Sequence, residues 1–529
     1  MQKSRQPKPG DRSYRPRRIK RFRLKRVLGV PALFSIGYGD VGSSIYYALG
    51  VVALVALGAT PIALGVAGII YIFNALTYAE GSAMITEGGG SASYARLGFN
   101  DMVGFTSGWA LMLSYIVTMA ISAYTIPPYL AYFWPVLKEP VAGTMLAMGI
   151  IIFLMLLNVT GIRESSRLNI FFIFVDIATQ VTLVTLGILL ILIPHPDVLF
   201  QHMFGPGNWP ATQNLVFGIA LAALCFTGVE SVSQQGEETR QPERRMPQAY
   251  FLMTVVVLVL FAGISLVALT AMTPQALGDP VNGWARDPVA GIANSISSVL
   301  SPQDIAARMS SGEEVKIVVT WVLNGVRNFL PVMVALLAAS ILLTATNAGL
   351  LGISRLTYNL SSHHQLPATL SRVHPHFRTP YLAIILFSLV TLVLLIPGFF
   401  NQVFFTQLGA LYVFGSLLTF ALAHAAILAL RVKRPKMPRP FKLSLNIKVK
   451  GRELPLTAIL GLISTVTVWL VIMVTEASSR WAGLGWMAIG LAIYYLYRRR
   501  RTTADTPAEN LPAAGITPAD TSKNDVENA

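Results

Sequence analysis

The chain has 529 residues, of which 53% are hydrophobic and only 12% charged, about half the charge of an ordinary soluble domain. Its mean hydropathy is +0.58, and the class that fits is an integral membrane protein. The net charge of +16 does not point to nucleic acid, because twelve of the 41 Lys and Arg residues stand in the first 26 positions, directly before an apolar run and near where anionic lipid would lie.

The single cysteine, Cys225, excludes an intramolecular disulfide and any cysteine-rich metal site. The basic segment 1–27 is followed by an apolar run of over 20 residues with no A-x-A-like exit, so it is read as a retained span and not as a cleaved signal peptide. A helix needs about 20 residues to cross a hydrocarbon core of about 30 Å. By that measure the sequence predicts twelve spans, at approximately 30–56, 61–85, 102–134, 141–161, 169–193, 212–235, 249–272, 319–351, 381–399, 403–430, 456–475 and 482–497. If the chain starts inside, the connections place 35 basic residues on the inner side and five on the outer side, with Arg327 inside a span. Cytoplasmic loops carry the excess of Lys and Arg, so both termini are expected in the cytoplasm of a multi-pass cell-membrane protein. The longest outer connection, 273–318, contains DPVAGIANSISSVL, which is expected to form a short helix over the outer mouth. The stretch after Arg501 is polar and rich in Ala, Pro and Thr, a composition that stays disordered. Neither a phosphate-binding loop, a nucleophile elbow, zinc-ligand spacing nor a dinucleotide fingerprint is present. No enzyme activity, cofactor or metal is expected.

Span 1 opens with FSIGYGDVGSSIYYALG, Phe34 to Gly50, where Gly37, Gly39, Gly42 and Gly50 accompany Asp40. Each glycine costs a helix about 1 kcal/mol relative to alanine, and an intramembrane carboxylate is a functional residue by default. Irregular backbone inside a bilayer is tolerated only where it lines a cavity or is buried in protein, and secondary transporters place such breaks in corresponding spans of two repeats. Span 6 carries a matching interruption, LCFTGVESVSQQGEE, with Thr227, Gly228, Glu230 and Ser231. The glycines of span 1 are therefore read as its unwound point.

Four stretches resemble the amino acid–polyamine–organocation (APC) superfamily of permeases: GYGDVGSSIYYALG; EGGGSASYARLGF with GFTSGWALMLSYIV; FTGVESVSQQGEETRQPERRMPQA; and NAGLLGISRLTYNLSSHHQLPATLSRVHPHFRTP. The resemblance covers about residues 30 to 475. It implies an all-α membrane protein of twelve transmembrane helices, a five-plus-five inverted repeat (LeuT-like) with broken helices 1 and 6. The implied organisation is a cytoplasmic tail (1–27), a transport core (28–430) of two halves (about 28–195 and 210–430) and a basic loop (431–455). Two peripheral helices (456–498) and a disordered tail (499–529) follow. Some features are similar to the potassium-uptake members, whose span 1 carries an aspartate followed by a tyrosine, as Asp40 and Tyr47 do here. Those members also carry an aspartate in span 3 before a tyrosine, where this chain has Ser114 and Tyr115.

The resemblance implies a substrate site of Gly39, Asp40, Gly42, Ser43, Ser44, Ile45, Tyr47, Tyr115, Thr227, Gly228, Glu230 and Ser231. Backbone amides of residues 42–45 would face a substrate carboxylate at a helix N-terminus, and the region Thr227 to Glu230 would take the amine. Asp40, Glu230 and Asp176 of span 5 are the candidates for ion or proton coupling. For Asp176 the alternative is a hydrogen bond to a hydroxyl on a neighbouring helix. His424 of span 10 is equally a packed polar residue or a proton carrier. The expected function is a proton-coupled permease for an amino acid or amine, with proton or sodium as co-substrate and the lipid membrane as its surroundings. A potassium/proton symporter of the same superfamily and a transport-inactive membrane sensor are the alternatives.

Overall fold

The computed structural model describes residues 26–161, 166–299, 313–377, 379–401, 404–443, 445–449 and 452–504. The segments 1–25 and 505–529, expected to be the bulk of two cytoplasmic tails, lie outside the described residues. In chain order the helices are α1 (Val30–Ser43), α2 (Ile45–Ala56), α3 (Thr60–Met84), α4 (Ser91–Gly98), α5 (Asp101–Leu130), α6 (Pro140–Val159), α7 (Ser166–Gly187), α8 (Pro196–Phe204) and α9 (Thr212–Ala222). Then come α10 (Glu230–Ser233), α11 (Pro242–Ala271), α12 (Pro274–Gly278), α13 (Pro288–Val299), α14 (Glu313–Ser362), α15 (Tyr381–Leu395) and α16 (Phe404–Lys433). A hairpin of β1 (Asn446–Val449) and β2 (Arg452–Pro455) leads into α17 (Leu456–Thr475) and α18 (Ala477–Ala504).

Among the described residues, ten helical runs are long and apolar enough to cross a membrane. The first of these, Val30–Met84, has 55 residues and contains α1, α2 and α3. As one rod it would be about 80 Å long, more than twice a hydrocarbon core. It turns instead at Leu57, whose φ of 47° no continuous α-helix accepts. Helix α18, with Arg480 near its start and Arg498 to Arg501 near its end, is not among the ten.

Helix α5 is the axis of the bundle, and its most apolar window is entirely buried. Small residues let its neighbours approach, as is usual where lipid supplies no hydrophobic drive between helices. An ideal Cβ at Gly415 of α16 would lie 3.0 Å from the Ala110 carbonyl oxygen, and one at Gly352 of α14 would lie 2.7 Å from the Tyr115 ring. On the other flank, Trp109 of α5 stacks on Trp486 of α18 at 4.7 Å. Each indole N–H donates to the other residue's backbone carbonyl, at 2.7 and 2.9 Å.

One end of the bundle is closed by a buried ion pair. Arg431, in the last turn of α16, donates twice to Glu80 of α3, at 2.8 and 2.7 Å. The Leu443 amide donates to the same carboxylate at 3.2 Å, and Arg439 stands 3.9 Å away. The basic loop after α16 is thereby folded back onto α3 and α16.

At the opposite end α12 and α13 lie against the helices. Here an ideal Cβ at Gly50 of α2 would fall 2.1 Å from the Ala285 carbonyl oxygen, so only glycine admits the loop. Arg286 donates to the Tyr124 hydroxyl at 2.8 Å, and Asp287 pairs with Lys138 at 3.6 Å. Burial raises the Asp287 carboxyl to about 6, against the pull of Lys138 and Arg286. Because the folded value lies above the ordinary 3.8, this group favours the docked loop most at low pH, and the benefit is lost as pH rises through about 6. Protection of amides in 279–299, relative to their intrinsic exchange at each pH, should be greater at pH 5 than at pH 7, and Asp287→Asn should flatten that difference. Equal protection at both pH values in the unmutated protein would refute the effect.

Candidate functional site

The first span departs from expectation. Its helix is interrupted only at Ser44, which keeps helical torsions (φ −63°, ψ −29°). The Ser44 amide donates to the Val41 carbonyl at 3.1 Å, and the Tyr47 and Ala48 amides donate to the Ser44 carbonyl at 3.2 and 2.7 Å. The reading of its glycines as an unwound stretch is corrected accordingly. They are sites of close approach: a Cβ at Gly37 would meet Val232 at 2.5 Å and Met253 at 2.6 Å, and one at Gly39 would meet Ile173 at 3.3 Å. Gly42 lies under the Tyr38 ring.

The interruption in span 6 is larger. Helix α9 tightens into a 3-10 turn at Ala223–Phe226, Thr227 is extended, and Gly228 has φ +106° before α10 begins. The Thr227 hydroxyl donates to the freed Leu224 carbonyl at 2.9 Å. The Glu230 carboxylate accepts from the Gly228 amide at 3.1 Å, and the Ser233 hydroxyl donates to the Glu230 carbonyl at 2.5 Å. Local side chains thus replace the helical bonds that the break removes, as a buried backbone requires.

The two spans meet here. An ideal Cβ at Gly228 would lie 2.8 Å from the Asp40 carboxyl carbon and 3.0 Å from the Val41 amide nitrogen. The Ser231 hydroxyl donates to Asp40 Oδ2, whereas Oδ1 is buried with no partner among the described residues. The Ser43 hydroxyl donates to the Asp40 carbonyl at 2.8 Å, and the Ser44 and Tyr47 hydroxyls are 3.2 Å apart. Ile45 is fully buried.

Asp176 has different partners. It accepts from Tyr46 at 2.5 Å, Tyr38 at 3.1 Å and Gln180 at 2.8 Å. It therefore ties α7 to both helices of the first span, and none of these partners belongs to the Asp40–Glu230 group. His424 sits between Thr77 and Asn74, at 2.8 Å from each, with its ring against Gly461. Ser114, at the position of the potassium members' second aspartate, donates to the Ala110 carbonyl at 3.4 Å and accepts from Ser416 at 3.1 Å.

A cavity of about 120 Å³ adjoins the Asp40–Ser231 contact, lined by Gly39, Tyr115, Ser231, Gln234, Asn347 and Arg355 among others. Gln234, Asn347 and Arg355 were not singled out from the sequence. They lie in stretches that resemble family motifs, but nothing local marks them as cavity residues.

A family model described as "Amino acid permease" matches residues 28–494. The chain belongs to the amino acid permease family. It is similar to the branched-chain amino acid permease BcaP of Bacillus subtilis (strain 168), 26% identical, with 90% of this chain and 94% of the relative covered. The methylthioribose transporter of the same organism is 27% identical, with 90% and 95% covered. The large neutral amino acids transporter small subunit 2 of Mus musculus is 26% identical, with 80% and 73% covered. This permease is a multi-pass membrane transporter and not an enzyme.

Proposed function

We propose that the permease is a proton-coupled importer of an amino acid or related amine in the cell membrane. The reading includes twelve passes in a five-plus-five inverted repeat, both termini cytoplasmic and α12–α13 on the outer face. The observation that carries it is the meeting of Asp40 with the break at Gly228. Two buried carboxylates, Asp40 and Glu230, lie in adjoining spans, and one Asp40 oxygen has no donor among the described residues. A buried carboxylate without a cation or full hydrogen bonding is costly, so a substrate ammonium group is a fitting partner for it. Residues 42–45 are helical, with the Ser44 amide donating to the Val41 carbonyl, so for their amides to face the substrate carboxylate the α1–α2 junction at Ser44 would have to open during transport. Coupling is assigned to Asp40 and Glu230. Asp176, fully bonded by its tyrosines and Gln180, is assigned to holding the first span.

The test is uptake by the purified permease in proteoliposomes, with a mixed panel of amino acids and amines under an imposed proton gradient. Uptake should acidify weakly buffered vesicles. Glu230→Gln should abolish accumulation against a gradient while leaving exchange measurable. Undiminished proton-driven accumulation in that variant removes Glu230 from the mechanism.

A further inference from the structure

The cavity beside the Asp40–Ser231 contact has its own chemistry. It lies between α1, α5, α14 and the residues around α10, and what it offers is mainly donors. Among the described residues the Gln234 amide nitrogen and the Tyr115 hydroxyl are both buried and make no hydrogen bond, the residues being 6% and 2% exposed. Gln234 and Ser231 lie close to the Tyr115 hydroxyl. Asn347 has its oxygen occupied by the Asn158 amide at 2.6 Å, which leaves N–H groups as its remaining contribution. At the mouth Arg355 donates to Gln235 at 2.5 Å and pairs with Glu238 at 3.2 Å. Asp40 itself is not among the lining residues. Unmet buried donors are expensive to leave, and a built donor set of this kind fits an oxyanion.

We infer that this cavity is a second carboxylate-binding station, in which Gln234 and Tyr115 hold the carboxylate of the transported solute after it leaves the Asp40–Glu230 centre. The inference rests on the proposed transport of amino acids and extends their path beyond the Asp40–Glu230 centre, into a cavity that shares Gly39, Tyr115 and Ser231 with the substrate site the resemblance implies. Arg355, held by Glu238 and Gln235, stands at the far side of the station as the next positive charge an anionic group would meet.

The experiment measures binding to the full chain in nanodiscs of one lipid composition. The probes are L-leucine and its decarboxylated counterpart isoamylamine, followed by the other nineteen amino acids, each with its own decarboxylated amine. Gln234→Leu should weaken the bound amino acid by roughly tenfold, the size of one hydrogen bond to a charged group, and leave its amine within about twofold. Gln234→Glu keeps the shape and reverses the preference, so it should weaken the acid further. It also decides the question alone if the leucine variant does not fold. Tyr115→Phe should act in the same direction with a smaller effect. Equal losses for acid and amine, or no loss for either, overturn the station while leaving amino acid transport intact. Failure of the unmutated protein to bind any of the twenty amino acids overturns the station, and failure to bind their amines as well overturns the proposed function.

Discussion

Gly228→Ala is expected to abolish transport. The backbone there has φ +106°, a conformation that costs a residue with a Cβ about 1–3 kcal/mol. The added methyl would also lie 2.8 Å from the Asp40 carboxyl carbon, closer than any real contact, and the neighbour on that side is a carboxylate on another buried helix. Either the break moves or Asp40 does, and a displacement of about 1 Å at a binding centre is worth on the order of a hundredfold in rate. Initial uptake should fall at least that far, with a melting temperature lowered by several degrees. Gly65→Ala is the control, because its Cβ would meet nothing within 4 Å. Wild-type uptake by the Gly228 variant would show that the contact between the two spans is dispensable.

The second large effect concerns stability. Glu80 and Arg431 are 0% and 4% exposed at their side chains, so removing either takes from the other the ion-pair partner it has in the bundle. Breaking a buried pair in this way costs on the order of 3–5 kcal/mol. Glu80→Ala is expected to be the worse of the two single changes, since it strands Arg431, the nearby Arg439 and the Leu443 amide together. Arg431→Met leaves Arg439 beside Glu80. The double variant Glu80→Leu/Arg431→Met should recover the part of the loss that comes from stranding Arg431, because an apolar pair replaces a desolvated ionic one, while Arg439 and the Leu443 amide stay without Glu80. Thermal unfolding of the four proteins in one detergent checks this. Additive losses in the double variant would mean that the pair is not coupled.

Much of the architecture was legible because the bilayer makes it so. A spanning helix must be a long apolar run with its backbone bonds internal; hydropathy alone reads twelve spans, and the described residues hold ten such runs, the first of 55 residues. The second helix Val30–Met84 contains was separable in sequence by the Gly58-Ala59-Thr60-Pro61 turn, and the break in span 6 by Thr227-Gly228 amid polar residues. Asp40 does meet Ser231 and Gly228, and Gly228 meets Glu230, as polar residues in two matched spans suggest; that they form a binding centre is the proposal made above.

The purpose of the span 1 glycines was not legible. A glycine that unwinds a helix and one that admits a neighbour look alike in sequence, since both forgo helix propensity. Only the positions of Val232, Met253, Ile173 and Ala285 decide for close packing. The role of Asp176 depends on tyrosines 130 and 138 residues away, and the Glu80–Arg431 tie on a separation of 351. The donor-lined cavity exists only where α1, α5 and α14 converge on the residues around α10. Composition and periodicity report what each segment must do in lipid. Which polar side chain finds which partner is set by helix packing, and a linear pattern carries no record of that.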